Sequence, residues 1–201
     1  MTRRRLYVAL GILVLAVALG ASALVVRYSG GREAALQPID IGGPFTMTNQ
    51  YGATVTEQDL LGHPSLVFFG YTFCPDVCPS TMAEIAAWLD TLGEDGKDIA
   101  VYFVTVDPAR DTAEVLGQYV AYFSPRIVAL RGNANQTAEI TASYKAYYSR
   151  IEMDDGTGDY LMDHTAAVYL MDGKGRFFDA ITYTATPEEA VAKLRRLIAA
   201  S

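Results

Sequence analysis

Three short apolar runs, each followed by a segment with apolar residues at helical spacing, set the strongest limit on what this chain can fold into. Ser65–Gly70 (SLVFFG) precedes Ser80–Leu92 (STMAEIAAWLDTL), Ile99–Val106 (IAVYFVTV) precedes Thr112–Phe123 (TAEVLGQYVAYF), and Ile127–Leu130 precedes Gln136–Tyr147. Unbroken apolar runs of this length read as buried strands, and the spacing after them reads as helices packed on a sheet. Ala166–Met171, a Gly173-Lys174-Gly175 turn and Arg176–Tyr183 then read as a hairpin. A helix from Pro187 to Ala199 closes the pattern, with Thr186 as its N-cap. The order β-α-β-α-β-α-β-β-α predicts an α/β layer structure, with parallel strands first and an antiparallel hairpin last. It suits a thioredoxin-like sheet. At 201 residues the chain has room for one such domain, expected over residues 41–201, plus attachments.

The attachment lies at the N-terminus. Arg3-Arg4-Arg5 is followed by LYVALGILVLAVALGASALVV, residues 6–26, without a charge in 21 residues. At about 1.5 Å of rise per residue such a run can cross a hydrocarbon core of about 30 Å as a helix. Ala21-Ser22-Ala23 matches a signal-peptidase site, but the apolar run continues through Val26, which favours a retained transmembrane anchor. The arginines then hold residues 1–5 as a basic tip in the cytoplasm. Residues 27–40 (RYSGGREAALQPID) are polar and without apolar period, so they read as a tether. The expected arrangement is a single-pass protein of the inner membrane whose C-terminal domain lies in the periplasm or an equivalent space.

All 23 acidic residues follow position 32, where only eleven basic ones remain, leaving that part at a net charge of −12. The balance argues against nucleic acid as a partner and is compatible with a cationic or metal cargo. Outside the cytoplasm, disulfide formation is also permitted.

The only two cysteines stand in Tyr71-Thr72-Phe73-Cys74-Pro75-Asp76-Val77-Cys78-Pro79-Ser80, just beyond the first apolar run. Open α/β sheets place their working residues beyond the carboxyl ends of their strands. Pro79 suits the first helical position, so regular helix is expected to begin there, with Cys78 near the N-cap and Cys74 in the loop before it. Unpaired N–H groups and the helix dipole at that end favour thiolate on both sulfurs. Three uses compete. A stapling disulfide would close too short a loop to stabilise much. A redox dithiol more often has two intervening residues than three. The wider spacing leaves room for a metal while still permitting oxidation.

Two thiolates need a third donor, and the chain has only two histidines. His63 precedes Pro64 at the opposite end of the first strand from Cys74 and reads as a solvated loop residue. His164, in Tyr160-Leu161-Met162-Asp163-His164-Thr165-Ala166, precedes a strand whose entering loop faces the cysteine helix in a thioredoxin-like sheet. It is the best third donor available. Cys74, Cys78 and His164 form a soft set suited to Cu(I), whereas zinc would call for a fourth ligand or a water. Asp76, Asp107 and Asp163 read as turn, cap or supporting residues. Met153 and Met162 read as packing under a long loop.

Phe68 to Pro79 (FFGYTFCPDVCP), Val104 to Asp111 (VTVDPARD) and Asp159 to Leu170 (DYLMDHTAAVYL) resemble the Sco/SenC family of copper-binding assembly factors, over roughly residues 40–200. The resemblance implies a membrane-tethered thioredoxin-like protein binding Cu(I), and in some states Cu(II), through Cys74, Cys78 and His164. It implies assembly of the dinuclear copper centre in subunit II of cytochrome c oxidase, as copper donor, as reductant of that subunit's cysteines, or both. Other periplasmic copper chaperones and thiol–disulfide reductants are then expected partners. Phe73 departs from many relatives, which carry a histidine there. Thr72-Phe73-Cys74 is also similar to the threonine–cysteine motif of peroxiredoxins, but no cysteine beyond Cys78 could serve as a distant resolving thiol. The expected function is a copper metallochaperone. The rivals are a thiol–disulfide oxidoreductase and, behind it, a redox or copper sensor; only the metal site needs His164.

Overall fold

A computed structural model of the protein describes residues 12, 13, 15–18, 20, 21, 40–154, 156 and 158–201. The chain divides into two units, Met1–Ile39 and Asp40–Ser201. The expected basic tip, nearly all of the tether and most of the 6–26 run lie outside the described residues, and the eight described residues of that run are helical. Among the described residues no helix is long and apolar enough to cross a membrane.

In the larger unit the elements run β1 (Thr46–Asn49), β2 (Thr54–Thr56), β3 (Ser65–Gly70), α1 (Val77–Leu92), β4 (Ala100–Thr105) and α2 (Ala113–Phe123). They continue with β5 (Ile127–Arg131), α3 (Ala134–Ser143), β6 (Tyr148–Glu152), β7 (Tyr160–His164), β8 (Ala167–Met171), β9 (Phe177–Thr182) and α4 (Pro187–Ala200). Seven strands make one sheet in the order β2-β1-β5-β4-β3-β8-β9, and β6 pairs with β7 in a separate hairpin. Every residue of β3 is buried: it runs between parallel β4 and antiparallel β8, and both faces of the sheet are covered there. This is why SLVFFG is a continuous apolar run rather than an alternating one. Helix α1 packs against α4 and α2, and buries Cys78, Met82, Ile85 and Trp88.

The expected β-α order is present, with two additions. β1 and β2 form an antiparallel pair that joins the sheet through β5. Their sequences, TMTN and TVT, carry one buried apolar residue each, too few for an apolar run. The β6–β7 hairpin stands where a loop before His164 is expected, and the third helix ends short of its expected limit at Tyr147. Helix α3 stops at Ser143, where Lys145 takes a left-handed φ of 55° and turns the chain into β6. The expected start of α1 at Pro79 also needs correction. The helix begins at Val77 with Asp76 as N-cap, and Pro79 is tolerated at its third position because first-turn N–H groups need no helical carbonyl. Thr112 and Thr186 cap α2 and α4, each accepting a bond from the backbone N–H three residues on.

Candidate metal centre

Strand directions decide where the site forms. β3 and β4 are parallel, so their carboxyl ends share one edge of the sheet. β8 is antiparallel to β3 with Val168 opposite Phe68, so the chain entering β8 arrives at that same edge. His164 ends β7 three residues before Ala167, and the loop leaving β3 carries Cys74 and Cys78. One ligand atom from each of Cys74, Cys78 and His164 lies within 4.8 Å of the other two, the single such group of His, Cys, Asp or Glu among the described residues.

Both cysteines are free thiols, Cys78 buried and Cys74 partly so. The backbone N–H of Cys78, unpaired in the first turn of α1, donates to Cys74 Sγ at 3.3 Å. Cys78 Sγ stands 3.2 Å from His164 Nε2, and His164 Nδ1 faces the Thr165 carbonyl oxygen at 3.2 Å. A carbonyl oxygen can only accept, so Nδ1 carries the proton and Nε2 turns its lone pair toward the sulfurs. Phe68 and Tyr71 pack edge-on against the imidazole. The hydrogen bond from the Cys78 side chain, with the backbone N–H groups of Asp76 and Cys78 and against burial, brings the Cys74 pKa down to about 4. That same bond, then burial, pushes the Cys78 thiol up. The two shifts run in opposite directions, so thiolate is favoured on Cys74 and not, as the helix end alone suggests, on both sulfurs. Two sulfurs and one imidazole nitrogen with an available lone pair fit a soft metal of low coordination number, and no carboxylate belongs to the group to favour a hard cation.

The loop is anchored from beneath by Asp111, which is fully buried. Its carboxylate accepts from the Thr72 N–H and, at 2.6 Å, from the Thr72 hydroxyl, and also from the Thr105 hydroxyl at the end of β4. Burial raises its pKa, against those donors. Asp107 is buried and accepts from the Tyr160 hydroxyl at 2.9 Å. Arg110 stacks on the Tyr160 ring, 3.6 Å from its centroid. Neither Arg110 nor Tyr160 was assigned a role from sequence; the only signal was their place in the quoted VTVDPARD and DYLMDH segments. Asp76 caps α1 without a side-chain bond, and Asp163 is exposed. Met162 packs against the core while Met153 is exposed. His63 lines a cleft of about 660 Å³ with Asp95, Lys97, Asp98 and the C-terminal Ser201, apart from the cysteines.

A family model described as SCO1/SenC matches residues 33–199. Protein SenC of Rhodobacter capsulatus is 40% identical over 181 residues, covering 87% of this chain and 81% of that protein. A SCO2-like protein of Rickettsia prowazekii is 40% identical over 139 residues, covering 69% and 68%. Among solved structures, copper-bound ScoI of Bradyrhizobium japonicum is 44% identical with a TM-score of 0.71, covering 78% of this chain and 99% of that one. Copper-bound yeast Sco1 is 35% identical with a TM-score of 0.74, covering 81% and 90%. The matched residues 33–199 take in the sheet, the cysteine loop and the strand that ends at His164, and this chain belongs to the SCO1/SenC family.

Proposed function

We propose that this protein is a copper metallochaperone that holds the metal on Cys74, Cys78 and His164 and serves assembly of the dinuclear copper centre in subunit II of cytochrome c oxidase. The observation that carries the reading is the convergence of two sulfurs and an imidazole nitrogen within 4.8 Å at one edge of the sheet. Support for copper comes from the chemistry of that donor set and from the copper-bound structures of Bradyrhizobium japonicum ScoI and yeast Sco1. The family resemblance supports the oxidase as destination, other periplasmic copper chaperones as sources, and thiol–disulfide reductants as the partners that keep the pair reduced. Residues 6–26 would anchor the protein in the inner membrane, with the domain on the periplasmic side. Each role follows from position: Cys74, partly exposed and favoured as thiolate, meets the metal or a partner first, while buried Cys78 and half-buried His164 complete the set. Copper-to-protein stoichiometry of the reduced protein, with and without His164, is the test. One copper per chain that weakens without the imidazole is expected, and no binding by the reduced protein would end this reading.

A second reading, reduction of the cysteines of that subunit by thiol–disulfide exchange, is favoured by one observation. A thiolate of pKa about 4 beside a protonated thiol is an attacking and resolving pair. It leaves the imidazole beside Cys78 without a task.

A further inference from the structure

The β6–β7 hairpin that brings His164 to the cysteines has little burial of its own: β6 is half-buried at its start and exposed over its last three residues. At its base Tyr147 and Thr165 exchange hydrogen bonds, and the Tyr71 hydroxyl meets the Met162 backbone. At its far end it meets Arg110. That side chain leaves the turn after β4 and is 17% exposed. Its Nε bonds the Asp107 carboxylate, and Nη1 donates to Asp159 Oδ1 at 2.9 Å and to the Tyr160 carbonyl at 3.0 Å. The guanidinium carbon stands 3.6 Å from the Tyr160 ring centroid and 4.8 Å from that of Phe73, the neighbour of Cys74. The Tyr160 hydroxyl returns to Asp107, closing the ring of contacts. The guanidinium carbon also stands 5.8 Å from the centroid of Tyr71, which packs on the imidazole; a planar cation with a fork of donors is suited to holding aromatic faces, two carboxylates and a carbonyl at once, and lysine is not.

Tyr160, Met162 and His164 alternate along β7 onto one face, so whatever fixes Tyr160 against the body fixes the face and height at which His164 meets the sulfurs. We propose that Arg110 is a positioning residue for His164, clamping the β6–β7 hairpin to the cysteine loop so that Nε2 faces Cys78. The inference rests on the metal-site reading for its purpose but not for its geometry. Arg110 is not a member of the ligand group. Its effect on the metal is through the angle and residence of His164, and losses of about tenfold or more in metal affinity are usual for such supporting contacts.

The test uses Arg110→Met, which keeps the stem and removes the fork, in the reduced full-length protein. The imidazole ¹⁵N resonances of the metal-free protein are read at fixed pH, with His63 as an internal control, followed by copper titration. The His164 signals should shift or broaden while those of His63 stay, copper affinity should fall at least about tenfold, and the Cu(II) absorption should move toward that of His164→Ala. In the double variant Arg110→Met/His164→Ala the two losses should not add, because one acts through the other. Unchanged His164 resonances, or fully additive losses, would overturn the proposal. If Arg110→Met fails to fold, Arg110→Lys decides: it keeps a cation beside Tyr160 but not the fork, and wild-type His164 resonances in it would equally overturn the proposal. Absence of copper binding by the unaltered reduced protein would instead overturn the metal-site reading, with the metal-free His164 resonances still deciding whether Arg110 sets the imidazole.

Discussion

Cys78 Sγ and His164 Nε2 are 86 positions apart in sequence and 3.2 Å apart in space, joined because antiparallel β8 begins at the edge where β3 ends. A dithiol reductase has no use for that nitrogen. Replacing His164 by alanine should weaken copper binding, most severely for Cu(II), which depends more on imidazole than Cu(I) does. Exchange of the reduced pair with a small disulfide should change by only a few-fold, since the main cause of the low Cys74 pKa, the bond from Cys78, remains. Competition titrations with both copper states and stopped-flow thiol exchange measure the two effects, and equal losses in both would count against separate roles.

Thiol titration offers a second check. An acid whose folded pKa is lowered to about 4 is ionised throughout the neutral range, and its reactivity is lost only as pH falls through that value. Alkylation of the reduced, metal-free protein should therefore modify Cys74 alone at pH 6, at a rate nearly flat up to pH 8, while Cys78 stays protonated and buried. In Cys78→Ala the hydrogen bond that lowers Cys74 most is gone, so its alkylation should regain a clear dependence on pH above pH 6. Peptide mapping of the modified residue reads both outcomes, and preferential labelling of Cys78 would contradict them.

Legibility in the sequence followed burial. Strand β3 and strand β4 were readable because layers on both faces demand unbroken apolar runs, α2 through its apolar spacing, with Thr112 its cap rather than its first residue, and α4 because Thr186 is a side-chain cap whose chemistry is local. The β6–β7 hairpin was not, because Tyr148 to Glu152 (YSRIE) is mostly exposed and Ala142 to Tyr147 continues the apolar spacing of the helix before it. His164 could be picked out because histidines are scarce and the fold order points to that edge. Arg110 could not: its partners Phe73, Asp159 and Tyr160 are far along the chain, and no local pattern announces a guanidinium between two rings.

Gly70 ends β3 where backbone and sulfur come close. A Cβ there would lie 2.9 Å from Cys78 Sγ and 2.8 Å from a Phe103 ring carbon, both inside contact distance. Gly70→Ala should cost about 1–3 kcal/mol of stability by overpacking and displace Cys78, altering the copper spectrum as well as the melting temperature. Gly117→Ala, inside α2 with only ordinary contacts at 3.6 Å, should stabilise by up to about 1 kcal/mol and leave the spectrum alone. Equal behaviour of the two variants in denaturant melts would remove the assigned role of Gly70.

The membrane reading rests on Arg3-Arg4-Arg5 and the uncharged residues 6–26. A reporter fused after Ser201 should be active only outside the cytoplasm, and the protein should remain with membranes after alkaline extraction. Recovery of a soluble mature form beginning at Leu24 would show cleavage after Ala21-Ser22-Ala23 and no retained anchor.

Redox state should gate the metal. The two sulfurs that would hold copper are the two that can join in a disulfide, so oxidation removes two of three donors and leaves His164 alone. The oxidised protein should bind Cu(I) at least about a thousandfold more weakly than the reduced one, on the order of 4 kcal/mol. Oxidation has a structural consequence too. The Cys78 N–H that now donates to a Cys74 thiolate would face a neutral sulfur, so the first turn of α1 loses a charge-assisted bond and the loop from Phe73 to Asp76 should exchange amide protons faster. Hydrogen exchange on both redox forms, beside Cu(I) competition with a chelator of known affinity, measures the two together. Equal Cu(I) affinity in both forms would place the metal away from Cys74 and Cys78, whatever the exchange pattern shows.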